Sequence, residues 1–170
     1  MTVDVRRGST VLHLVLGAAV ALALPASARA AGLSLAGSIG SGYRASPNSG
    51  RINTNVMLAP GVSIINEVLR LEVGFVGDLA DVEASRFDLQ VRPMAVVQLP
   101  ALPIYGRLIV GATNLIHGPR AFAFGAAAGL RLALGDTASV FAEVGYVPRA
   151  VSGGAFENIV EGRAGVGLGF

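Results

Sequence analysis

From Leu33 onward, apolar and polar positions alternate with a period of two, the pattern of strands whose two faces meet different surroundings. The clearest run sets Leu69, Leu71, Val73, Phe75, Gly77 and Leu79 against Arg70, Glu72, Gly74, Val76 and Asp78. It recurs with Phe87, Leu89 and Val91 against Asp88, Gln90 and Arg92. It returns with Val160, Gly162, Ala164, Val166, Leu168 and Phe170 against Glu161, Arg163, Gly165, Gly167 and Gly169. Turn signals divide the chain into eight such segments, at about 33–44, 54–64, 68–79, 86–99, 103–114, 121–134, 137–147 and 158–170. Each has roughly the 9–11 residues, or slightly more, that a tilted membrane strand needs. An even number of segments of similar length predicts an all-β fold, an eight-stranded antiparallel up-and-down transmembrane β-barrel spanning residues 31–170.

The joints alternate in length. Ile65-Asn66-Glu67, Pro100-Ala101-Leu102 and Gly135-Asp136 are tight, while 45–53, 80–85, 115–120 and 148–157 are longer and rich in Gly, Pro, Asn, Ser and charge. Short turns at one rim and longer loops at the other is the outer-membrane arrangement, with both termini on the periplasmic side. Pro60 and Pro93 fall inside expected strands, where each deletes a ladder donor, so a bulge or kink is expected at both.

Ahead of the barrel, residues 1–30 read as a secretory signal peptide. Arg6 and Arg7 form its positive end, Val11 to Leu24 its apolar core, and Ala28-Arg29-Ala30 a small-x-small cleavage site, with Ala26-Ser27-Ala28 as a second candidate. Its apolar stretch is too short to span a bilayer as a helix.

Composition excludes several functions. All 13 basic residues are arginine, and three of them, with Asp4, lie in the leader, which leaves ten of each sign in a neutral mature part. No basic run or aromatic stripe supports nucleic-acid binding. The absence of cysteine excludes disulfides, thiolate metal sites and an acylated lipoprotein N-terminus. One mature histidine and scattered carboxylates offer no metal-ligand spacing, and no cofactor is implied.

Alternation does not say which face is outside, since soluble and membrane barrels are inverted versions of each other. The polar face is too sparse for a solvated surface: Gly, Ala and Ser fill it out, and lysine is absent. Its charges balance, with Arg70, Arg92, Arg107, Arg131 and Arg163 against Glu72, Asp78, Asp88, Glu143 and Glu161, as a closed interior requires. Tyr43, Phe75, Phe87, Phe122, Phe124 and Tyr146 are then outward, forming a thin interfacial girdle without tryptophan.

The last residues, Arg163-Ala164-Gly165-Val166-Gly167-Leu168-Gly169-Phe170, resemble the β-signal of bacterial outer-membrane proteins, with Arg163, Gly165, Leu168 and Phe170 at its marked positions. With the leader and the eight segments, the chain resembles the small bacterial outer-membrane β-barrel superfamily, the OmpA/OmpX-like eight-stranded barrels. The resemblance implies a monomer in the Gram-negative cell envelope, contact with outer-membrane lipid and lipopolysaccharide, and assembly by the barrel-assembly machinery.

Three function classes compete. A barrel of eight strands is just wide enough for side chains to fill, which favours a plugged interior with a structural or surface-interaction role. A narrow porin-like channel is the alternative, because inward Ala and Gly leave space. A lipid A-modifying enzyme has little support: His117 is the one mature histidine, without a serine two residues away on its face, so no enzyme activity is expected. The acidic group Asp78, Asp81, Glu83 and Asp88 reads as a wet loop.

Overall fold

The computed structural model describes residues 32–46, 49–65, 68–79, 89–113, 121–150 and 156–169. The expected leader, Asp81, Glu83, Phe87, Asp88, His117 and Phe170 lie outside the described residues. What is described is nearly all strand: β1 Leu33–Ser46, β2 Ser49–Ile65, β3 Leu69–Asp78, β4 Leu89–Gln98, β5 Ile104–Thr113, β6 Ala121–Leu134, β7 Ala138–Tyr146, β8 Arg149–Ala150 and β9 Phe156–Gly169. Each long strand pairs antiparallel with the next, and β9 pairs back on β1, so the sheet closes and has no free edge.

Nine segments make eight staves, because β8 continues β7. The register of β7 on both neighbours carries through unchanged to β8. Val147 N–H still donates to Ile159 O at 2.8 Å, and Pro148, with no N–H to give, still accepts from Phe124 N–H at 3.2 Å. The stretch 148–157, expected to be loop, is therefore strand at both ends. The expected loop 45–53 is corrected in the same way: β1 runs to Ser46 and β2 resumes at Ser49, paired with it. Polar, Gly-rich composition marks these segments as leaving the apolar zone, and ladder pairing continues beyond that zone.

Neither proline carries a bulge. At Pro60 the ladder toward β3 skips and resumes in the same register, and at Pro93 the ladder toward β5 does likewise. Each ring points outward and loses one donor without displacing its neighbours. The register shift lies instead between Ser63 and Ile65, next to the turn into β3. At the tight turns Gly135 has φ +81°, as a short hairpin demands. Ala101 has φ +62°, and the Gln98 side-chain amide holds that turn by donating to Leu102 O at 2.9 Å.

Paired residues trace the barrel's tilt. From Leu33 the partners run through Val62, Leu71, Ala95, Leu108, Ala126, Tyr146 and Val160 to Tyr43, ten residues further along the strand where the path began. A shear this large for eight strands puts them at a tilt of about 35–45°. The outward face is apolar nearly throughout, with Ile39, Leu71, Leu108, Phe124, Val144 and Val166 among its exposed side chains. Of the expected girdle, Tyr43, Phe75, Phe122, Phe124 and Tyr146 do point outward, joined by Phe156.

Inward glycines and alanines are sockets rather than empty space. A Cβ on Gly129 would meet the Tyr105 ring, one on Gly74 the side chains of Met57 and Met94, and one on Gly165 the Phe141 ring, Ser38 and the Gly37 carbonyl. Large side chains on one wall thus fill the place of side chains missing from another. Gly165→Val is expected to destabilise the barrel by about 1–3 kcal/mol through overpacking. Gly37→Val, where a Cβ meets nothing within 4 Å, is expected to cost far less. The urea midpoint for loss of the compact band on unboiled gels measures both.

Candidate functional site: the luminal charge network

The pleat sends alternate residues into a lumen with a low-dielectric wall, where each charge must find a partner. Glu72 on β3 accepts from Arg70 Nε at 2.6 Å and pairs with Arg107 Nη2 at 3.1 Å. Arg107 on β5 reaches across to Glu143 on β7 at 2.6 Å, and Tyr105 O–H donates to the other oxygen of Glu143 at 2.6 Å. Arg163 on β9 lies 3.9 Å from Glu143 and 3.7 Å from Glu161. Glu161 in turn accepts from Arg92 on β4 at 2.6 Å, and Arg92 also donates to Gln90 at 3.0 Å. Arg163 donates to Asn55 on β2 at 2.6 Å and to Ser38 on β1 at 3.3 Å.

Four arginines and three glutamates therefore form one chain of contacts from β3 across the lumen to β9 and β4. All seven are buried, Arg107 to 2% exposure. The arrangement cross-links opposite walls of the barrel. Among the described residues it holds no group of His, Cys, Asp or Glu suited to a metal ion.

Of the ten expected interior charges, nine are among the described residues. Asp78, buried at the far end of β3, accepts from Asn53 at 2.7 Å, and Asp88 lies outside the described residues. Arg131 points into the lumen beside Gly167 and contacts the faces of Tyr105 and Phe141. Of the C-terminal pattern, Arg163 and Gly165 face inward, and the backbone of Leu168 pairs with Leu35 and Ala138 across the closing seam.

Sequence alternation did not single out Tyr105, Asn55 and Phe141 as interior partners, although each stands at an inward position of its strand. It also missed a second cluster near the opposite mouth, where Glu157 pairs with Arg149 at 2.5 Å and Arg44 at 3.6 Å. At the short-turn end the lumen opens into a vestibule of about 1020 Å³, lined by the turns at 99–102 and 135–137 and by Arg70, Glu72 and Arg131.

A closed, fully antiparallel eight-stranded barrel with an apolar outside and a charged inside is the architecture of transmembrane β-barrels. Solved structures share it. Neisserial surface protein A, from Neisseria, superposes with a TM-score of 0.62 at 13% identity, covering 81% of this chain and 97% of that one. The de novo designed protein TMB2.3 superposes with a TM-score of 0.50 at 12% identity, covering 82% of this chain and 94% of that one. No protein-family model and no curated protein matches the chain.

Proposed function

We propose that the protein is an exported, monomeric barrel of a bacterial outer membrane, with a plugged lumen and a structural or surface-interaction role. The observation that carries this is the inversion of faces: an apolar exterior around a ring of buried, cross-strand ion pairs. Lipid and lipopolysaccharide are then its surroundings, the short-turn end faces the periplasm, and the segment with Arg163, Gly165, Leu168 and Phe170 is what the assembly machinery reads. The charge network works as a plug and has no catalytic part.

On cell fractionation the protein is expected with the outer membrane, and its band on an unboiled gel should shift after boiling. Recovery in the soluble periplasm overturns the reading. In planar bilayers the folded barrel is expected to give no stable openings. Steady openings whose conductance changes in Arg92→Gln would replace the plug with a narrow channel.

A further inference from the structure

Arg131 stands apart from the ion-pair chain. Among the described residues no carboxylate lies within ion-pair distance of it, and its Nε has no hydrogen-bond partner. Its guanidinium carbon lies 5.9 Å from the Tyr105 ring centroid and 5.8 Å from that of Phe141. Ring contacts of this kind position the cation without consuming its N–H donors. Arg70, 7% exposed, spends Nε on Glu72 and leaves Nη2 without a partner.

Both arginines line the vestibule of about 1020 Å³, together with Ser34, whose Oγ is also without a partner, and Ser139. The acids on the same wall do not cancel them. Glu72 is divided between Arg70 and Arg107, and Asp136 is exposed at the rim, on the turn between β6 and β7. Two arginines, each with a nitrogen that has no hydrogen-bond partner, and a serine with a free hydroxyl thus line one concave space that opens at the short-turn end.

We propose that this vestibule is an oxyanion site, in which Arg131 and Arg70 take a phosphate group, free or esterified, entering from the short-turn side. Phosphate presents pairs of oxygens that match the guanidinium fork, and a low-dielectric wall strengthens the contact. The cavity matches the upper end of the roughly 300–1,000 Å³ found for small-molecule sites, so an organic substituent fits beside the phosphate. The proposal goes beyond the plug reading, because the site lies on the floor of the vestibule and requires no passage through the network.

The test uses the folded full barrel in a phosphate-free, non-ionic detergent, with folding verified by the gel shift. Inorganic phosphate is titrated at constant ionic strength and followed by phosphorus NMR line broadening. Saturable broadening is expected, weakened roughly tenfold or more in Arg131→Gln and partly restored in Arg131→Lys. Arg131→Gln removes no ion pair, so its gel shift should persist. Arg149→Gln, at the opposite mouth, should bind as the parent does.

A second arm adds short-chain phosphatidylglycerol to the micelle. Competition with inorganic phosphate assigns the site to a lipid headgroup, and undisturbed phosphate binding assigns it to a soluble phosphate. Absence of saturable broadening, or equal broadening in folded Arg131→Gln, overturns the proposal.

Discussion

Replacing Glu143 with alanine is expected to destabilise the folded barrel by about 3–5 kcal/mol, the usual cost of removing one partner from a buried ion pair. Arg107 and the Tyr105 hydroxyl each lose an acceptor at 2.6 Å, and Arg163 loses an opposite charge at 3.9 Å. Most of the loss comes from Arg107, left with Glu72 alone, because water does not reach it at 2% exposure. Glu143→Gln, which keeps an acceptor oxygen, should cost less. Substituting Arg107→Met together with Glu143→Leu should recover part of the loss, since an apolar pair has no desolvation penalty to offset. Equilibrium urea titration in lipid vesicles, scored by the unboiled gel band, measures all three. A cost below about 1 kcal/mol for Glu143→Ala would mean that the network is hydrated and that the lumen is wet.

The second large effect belongs to the outer face. Leu108 lies near the middle of β5 and is 63% exposed, whereas Ile52 lies toward the loop end of β2 and is 72% exposed. Leu108→Arg is expected to cost about 2–4 kcal/mol in a bilayer and Ile52→Arg about 0–1 kcal/mol, because charge is least tolerated at the midplane. The contrast is diagnostic because both side chains are already exposed. A barrel surrounded by water would accept arginine equally at either site. Vesicle refolding yields and urea midpoints for the two variants check it, and equal values would remove the membrane from the interpretation.

Strand number, the pleat and the outward aromatics were legible in the sequence because alternation is local and needs only the chain itself. The ends of strands were less so. The segments around Ala45 and Pro148 carry turn-like residues, yet cross-strand hydrogen bonding holds Ser46 opposite Ser49 and keeps Arg149 in line with β7. Ion-pair partners were not legible at all. Glu143 meets Arg107, 36 positions away, because a shear of ten residues slides the staves along one another, and no local pattern encodes that offset. Counting charges on a face shows how many there are, but the tilt decides which ones meet, and it leaves Arg131 with rings instead of a carboxylate.

The closing seam between β1 and β9 gives the molecule a way of registering its own completeness. Arg92 finds Glu161 across 69 residues, Asn55 finds Arg163 across 108, and Ser38 finds Arg163 across 125, so each of these partners arrives only with the final strand. A nascent or truncated chain without β9 holds an electrically unfinished interior, with Arg92 exposed to a lumen that lacks its counter-charge. Closure of the cylinder and the pairing of Arg92 are thereby the same event.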